Sequence, residues 1–470
     1  MSYDKEILRI ALPSIITNIT VPLLGIVDVA ITGHIGNSTL AIGAIAVGGL
    51  VFNMVYWLFN FLRMGSSGLT AQAFGRGDGA GQRRVLSMGM KVAVACGLAI
   101  ICLQRPMEWM AHWIIAPSDD VWALAVQYFR IRVWAAPAVL MLFALNGWFI
   151  GMQNSRFPLY IAVGQNLINI VVSYALVFHY DMGVEGVAIG TVVAQYLGLL
   201  AAIELSTYLS TTIVDNSKLG SYEQGNVDKS GEKLTSYQQS GVDKSAKVEW
   251  KTFFTVNKDI FFRMICLIAV TTAFTSYGSH LSDTLLAVNT LLLQLFTLFS
   301  YFSDGFAAAG EAIVGKYFGA SQYKNIDKIV KRLFLWGAGV VVLFTAIYTL
   351  GGLPFLRLLS DEEAVIRASA PYLPWAMAIP ICGIAAFMWD GVFIGLTATR
   401  QMFYSLLIGA LVFFGLYEGI SAILMAQNGA ENVSAETLNH VLWGAFLTYL
   451  VVRGAYLSFA YLSNRHSKHG

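Results

Sequence analysis

The sequence predicts an all-α integral membrane protein: twelve transmembrane helices in two six-helix lobes related by a pseudo-two-fold axis along the membrane normal. Three observations predict it. Of 470 residues, 56% are hydrophobic and only 12% charged, about half the charged share of a soluble domain, and the mean hydropathy is +0.62. Long apolar runs bounded by charges, Gly or Pro recur twelve times. The second half of the chain repeats the first. A spanning helix takes about 20 apolar residues, so twelve consume roughly 240, close to the number present. This composition excludes a water-soluble enzyme, and a net charge of +2 is too small and too scattered for a nucleic-acid surface.

The first six spans are placed near 7–31, 40–63, 85–104, 121–149, 158–178 and 184–208. The second six are placed near 260–278, 285–314, 329–350, 365–389, 402–425 and 437–461. Backbone in lipid must satisfy its own hydrogen bonds, and a helix does so within one segment. A membrane barrel would need period-two alternation in segments of about ten residues, which these runs lack. Pro13, Pro22 and Asp28 interrupt the first run, which therefore reads as a retained span and not a cleaved signal. Basic residues gather after even-numbered spans: Arg76, Arg83 and Arg84, then Arg156, then Lys316, Lys324, Lys328, Lys331 and Arg332, then Arg400, and finally Arg465 and Lys468. The intervening loops carry acids, among them Asp119, Asp120, Asp181, Glu185, Asp361 and Glu431. The positive-inside rule then predicts an inner-membrane protein with both termini cytoplasmic.

Residues 209–250 turn to Ser, Gly, Gln, Lys and Asp, a composition unable to bury enough apolar area to order itself. The expected organisation is a lobe over 1–208, a flexible cytoplasmic linker over 209–250 and a second lobe over 251–470. Inside the linker Ser221-Tyr222-Glu223-Gln224 recurs as Ser236-Tyr237-Gln238-Gln239, read as expansion without chemistry. The longer repeat carries more meaning. Gly147, Phe149, Ile150, Gly151 and Arg156 recur as Gly391, Phe393, Ile394, Gly395 and Arg400, all 244 residues on, and Phe74-Gly75 recurs as Phe318-Gly319 at the same spacing. His34, Leu40 and Ala41 pair with His280, Leu286 and Ala287. Six spans per repeat give both lobes the same orientation, and two such lobes around a central cavity suit alternating access.

Polar residues inside spans are costly and are functional candidates by default. Asp28 lies six residues past Pro22; it is either a proton-carrying acid or one near enough to the outer surface to reach water. Asn166, Asn169, Ser173 and Thr191 form a polar string in the fifth and sixth spans, able to hold a proton network or a dehydrated cation with Asp28, or to serve as interhelical hydrogen bonds. Asn169 and Ser173 share a helix face. Asp304 and Glu311 stand seven apart in the eighth span with small residues between. They could form a second-lobe site, or Glu311 could pair with Lys316 or Arg332. Arg130, Arg132, Asp390 and Glu418 are weaker candidates, expected at interfaces or in pairs. Pro13, Pro22, Pro137 and Pro380 favour bends.

No catalytic signature competes. Gly65-Ser66-Ser67-Gly68 lacks the spacing of a nucleophile elbow. Gly75-Arg76-Gly77-Asp78-Gly79 lacks the Lys-Ser/Thr of a phosphate loop, and His-Glu-x-x-His does not occur. Cys96, Cys102, Cys266 and Cys382 have neither metal-ligand nor disulfide spacing. No cofactor or metal is expected.

At these residues the chain resembles the multidrug and toxic compound extrusion family, in its DinF branch. The resemblance spans the twelve helices and is carried by Asp304-Gly305-Phe306-Ala307 through Glu311 to Gly315-Lys316 and Gly319-Ala320. Pro13 with Asp28, Gly33-His34-Ile35-Gly36, and Gly186 through Thr191 support it. The resemblance implies two six-helix lobes in a V shape and cation-coupled export of small drug-like, cationic or amphipathic compounds by a single chain in the bilayer. It implies Asp28 as the leading proton or sodium residue, assisted by Asn169 and Thr191, with a bend at Pro13 tied to protonation in one branch. Where many relatives carry a second acid, this chain has Ser173, which favours the proton over sodium. The expected cycle has an external proton bind Asp28, the first helix rearrange and substrate leave outward. A lipid-linked precursor flippase and, from another class, an integral-membrane transferase or hydrolase are the alternative readings.

Overall fold

A computed structural model describes residues 3–33, 38–115, 118–223, 249–357, 362–429 and 432–466. Among these residues the chain is helical throughout, without strands. The first half holds α1 (Tyr3–Thr32), α2 (Ser38–Leu58), α3 (Phe61–Gly75), α4 (Gly79–Cys102), α5 (Gln104–Ile115), α6 (Asp119–Arg132), α7 (Ala136–Gly151), α8 (Arg156–Phe178) and α9 (Gly183–Glu223). The second holds α10 (Trp250–Leu281), α11 (Asp283–Gly319), α12 (Tyr323–Leu356), α13 (Glu363–Ser369), α14 (Leu373–Gly395), α15 (Thr399–Asn428) and α16 (Ala435–His466). Eleven helical segments are long and apolar enough to cross a membrane, and α1, 30 residues long, is the twelfth. The protein is a multi-pass membrane protein, with twelve helical spans among the described residues.

The differences from the expected spans have local causes. The second span is two helices, α2 and α3, divided by a turn at Phe59-Asn60 where Arg63 Nε donates to Asn60 Oδ1 at 3.2 Å. The fourth span of each half opens with a short helix and a 3-10 turn, 133–135 and 370–372, beside Pro137 and Pro371, whose missing N–H interrupts the ladder. α5 was not anticipated: it exposes Trp109 and Trp113 and buries Glu108, which takes Arg130 at 2.9 and 3.0 Å. That pattern is an amphipathic helix of the kind that lies in a membrane interface. α1 runs as one helix through Pro13 and Pro22, with hydroxyl bonds from Ser14 to Ile10 O and from Thr17 to Pro13 O. α9 continues to Glu223, into the segment read as linker. Residues 224–248 of that segment, 34–37 with His34, Asp361, Glu431 and Lys468 lie outside the described residues.

The chain forms two compact units, one of residues 1–19, 256–311 and 327–470, the other of residues 20–255 and 312–326. The repeat has a physical form in their helix ends. α3, α7, α11 and α14 all stop in the same way, with a residue of positive φ, Gly77 (69°), Gln153 (63°), Ser321 (58°) and Thr397 (53°). At each stop the same pair of backbone bonds closes the helix, as in Asp78 N–H to Ala73 O and Gly77 N–H to Phe74 O, and in Ala398 N–H to Phe393 O and Thr397 N–H to Ile394 O. These are Schellman motifs, and Gly77 with Ser321, like Gln153 with Thr397, are 244 residues apart.

Close helix contacts repeat too. A Cβ at Gly147 would overlap the Arg63 carbonyl, and one at Gly391 the Ala307 carbonyl. In the second unit α3 crosses the end of α11 so closely that a Cβ at Gly75 would strike the Lys316 carbonyl and one at Gly319 the Gln72 carbonyl. Small residues permit such approach, and in lipid, where burial of apolar surface supplies no drive, close packing is what holds helices together. Gly75→Val and Gly319→Val should each lower stability by about 1–3 kcal/mol or more, read as thermal unfolding in detergent. Gly164→Ala, with nothing near its Cβ position, should be neutral or slightly stabilising.

A buried carboxylate on the first helix

α8 shows how the chain turns polar groups inward. Leu167, Val171 and Tyr174, each at least 60% exposed, line one face, while Asn169 and Ser173 on the opposite face are fully buried. The inversion suits a helix whose outer face meets hydrocarbon, where an unsatisfied polar group costs several kcal/mol. α9 lies alongside, so close that a Cβ at Gly190 would collide with Ser173 Oγ. Thr191, next in sequence, is 1% exposed.

Asp28 on α1 meets this pair and is 3% exposed. With the Asn169 amide nitrogen turned toward α1, it donates to Asp28 Oδ1 at 3.2 Å, and the carboxamide oxygen accepts from Thr191 N–H at 3.2 Å and from its hydroxyl at 3.0 Å. With the amide reversed, its nitrogen donates to Thr191 Oγ1 at 3.0 Å, and that hydroxyl donates to Val187 O at 3.1 Å. The first arrangement suits an ionised Asp28, which can only accept. The second suits a protonated one, whose O–H can donate to the carboxamide oxygen. The site therefore has a hydrogen-bond partner for each charge state of the acid. About two turns nearer the middle of α1, Asn166 Nδ2 donates to Thr20 O at 2.8 Å, tying α8 to α1.

The structure brings Asp28, Asn169 and Thr191 together and sets Ser173 beside them. Ser173 Oγ has no hydrogen-bond partner among the described residues and lies against Gly190. Asp304 and Glu311 fall in the other unit and differ: Asp304 is exposed, Glu311 2% exposed. Pro13 is half-buried in α1.

Sequence reasoning passed over several buried polar groups. In the unit built from the second half, Asp390 Oδ2 receives both Arg263 and Arg453, the latter at 3.0 Å, and Arg453 also reaches the Tyr449 hydroxyl at 3.3 Å. Asn289 binds Asn439 at 2.7 Å and Trp443 Nε1 at 2.8 Å. Arg263, Asn289, Asn439 and Arg453 all stand inside predicted spans, so the rule that marked Asp28 could have marked them. Arg132, named among the weaker candidates, is a further such group: its guanidinium bonds the Tyr128 hydroxyl and lies within electrostatic reach of Asp28.

The long apolar helices and the family they match make this a membrane transporter, not an enzyme. The MatE family profile matches residues 13–175 and again 260–416, once per repeat, and the chain belongs to the MatE family. It is similar to DNA damage-inducible protein F of Escherichia coli (strain K12), 31% identical over 470 residues that cover 100% of this chain and 94% of that protein. It is 24% identical to a probable multidrug resistance protein NorM of Agrobacterium fabrum, over 83% of this chain and 79% of that protein. Among solved structures, a MATE crystal structure described as the bent conformation covers 100% of this chain and 97% of its own, with TM-score 0.79 and 16% identity. A mutant of the Vibrio cholerae MATE transporter VcmN covers 99% and 98%, with TM-score 0.77 and 15% identity.

If the Asn169 amide serves Asp28, a double-mutant cycle of Asp28→Asn and Asn169→Leu should return a coupling of about 1 kcal/mol or more in unfolding free energy, against near zero for Asp28→Asn with Gly164→Ala.

Proposed function

We propose that this protein is a proton-coupled antiporter that exports small drug-like or amphipathic organic compounds across the inner membrane, with both termini cytoplasmic and a single chain sufficient. One observation carries the reading: Asp28 is buried on α1 against the Asn169 amide, a group with both a donor and an acceptor to offer it. A carboxylate able to change charge inside a membrane protein is the minimum a secondary transporter needs to tie a cation gradient to substrate movement. The NorM proteins similar to this chain are described as probable multidrug resistance proteins, which supports an organic substrate. The missing second acid at Ser173 supports the proton, since a bare sodium ion seeks several oxygen ligands and a proton needs one.

The cycle follows from charge. Ionised Asp28 takes a proton from outside, the Asn169 amide turns to accept its O–H, and α1 is released from one charged contact while substrate leaves outward. Proton loss to the cytoplasm restores the ionised form.

Export of ethidium from proteoliposomes under an imposed proton gradient, an imposed sodium gradient or neither tests it. Wild type should respond to the proton gradient and not to sodium. Asp28→Asn should lose at least tenfold in gradient-driven rate while remaining folded. Wild-type rates in that variant would remove Asp28 from the mechanism.

A further inference from the structure

Arg132 closes α6 with its guanidinium bonded to the Tyr128 hydroxyl one turn back and laid over the rings of Phe52 and Tyr128, 5.3 Å from each centroid. Tyr128 is fully buried, pressed against Gly48 of α2. It shares an apolar cluster with Ile31 of α1, Val177 of α8, and Val187 and Ala188 of α9. Those residues stand three or four positions from Asp28, Ser173 and Thr191, so the cluster packs directly beside the carboxylate. The groups around Asp28 are then Arg132 and Tyr128 from α6, Asn169 and Ser173 from α8 and Thr191 from α9. Tyr56 of α2 lies within electrostatic reach of Arg132, and Tyr196 of α9 within reach of Tyr56. Among the described residues no ion pair joins Arg132 to Asp28.

We propose that Arg132 is the positioning residue that keeps Asp28 a proton site and closes it to sodium. This rests on the reading of Asp28 as the proton carrier. A fixed guanidinium several ångströms away weakens the binding of any monovalent cation, by about 10- to 100-fold at an effective dielectric near 20. A proton forms a covalent O–H bond with one carboxylate oxygen and survives that penalty. Sodium must shed water for several oxygens, and around Asp28 it meets only neutral oxygens, those of Asn169, Ser173 and Thr191, beside a guanidinium and with no second acid. The other unit shows what a shorter distance does. Tyr449 and Arg453 have the same spacing on α16, but Arg453 reaches Asp390 at 3.0 Å and Arg263 takes the same oxygen. That carboxylate is held as an ion pair; Asp28 is influenced without being held.

The test uses the purified full chain. Binding of radioactive sodium in detergent and the pH dependence of ethidium export in proteoliposomes are measured for wild type, Arg132→Gln, Arg132→Lys and Tyr128→Phe. Arg132→Gln should bind sodium at least tenfold more tightly than wild type and reach half-maximal export at about tenfold lower proton concentration. Arg132→Lys, which keeps the charge, should stay within about threefold of wild type in both. Should Arg132→Gln fail to fold, Tyr128→Phe, which frees the guanidinium, must move the same profile by at least twofold. Unchanged sodium binding and pH profile in the folded variants, with export still lost in Asp28→Asn, would overturn the role of Arg132 alone. Sodium-driven export in wild type that Asp28→Asn abolishes would overturn Arg132 as a sodium barrier and the proton reading together.

Discussion

A carboxylate placed among apolar helices has to find its partners inside the protein, and much of the first half of this chain is arranged around that demand. Asp28 is matched by Asn169 and Thr191 on two further helices, which fixes which faces of α8 and α9 look toward α1. Leu167, Val171 and Tyr174 are thereby turned outward, where lipid accepts them. The close packing of Gly190 on Ser173 follows from the same need, since a polar cluster in hydrocarbon is costly unless water and lipid are kept from it. Polar pairing decides the rotation of these helices; glycine decides how near they come.

The duplication acts at the second of those levels. Four helix stops share one backbone design although only one of the four left-handed positions is glycine, the others being Gln153, Ser321 and Thr397. Side chains at such positions are strained, so the conformation is imposed by the two closing bonds and by the helices packed around them. Among the glycines that did recur, Gly75 with Gly319 and Gly147 with Gly391 are ones whose Cβ would overlap a neighbouring carbonyl. Side chains drifted where the backbone could bear it and stayed absent where space forbade them.

This explains what could be read in the sequence. Spans, repeat and the acid on the first helix were legible because each depends on local composition or on spacing along the chain. Asn169 and Thr191 were legible because polar residues in an apolar run stand out, although the contact of Asn169 with Asp28, and of Thr191 with Asn169, needed the fold. The split at Asn60 and the interfacial helix α5 were missed: Phe59-Asn60 carries no Gly or Pro, and α5 is too short and too polar for a search tuned to spans. Arg132 was seen and underrated, because sequence could not show that Tyr128 folds its guanidinium back over Phe52 instead of letting it reach the membrane surface. Asp304 and Glu311 share a helix face by spacing, but the neighbours of α11 expose one and bury the other.

Charge arithmetic separates the two halves. In the unit built from the second half, two buried arginines share the Asp390 carboxylate, and Asp304, itself exposed, lies within electrostatic reach of Arg453. Breaking a buried arrangement of that kind leaves an uncompensated ion and costs several kcal/mol; it is a fastening. In the other unit Arg132 and Asp28 sum to zero when the acid is ionised and to plus one when it is protonated. On the proposed cycle, proton loading therefore creates a positive centre where none stood before. Such a centre drives a cationic amphiphile away by repulsion, whereas the neutral state holds it only by contact. On that proposed cycle the charge step would act through release of substrate more than through its capture.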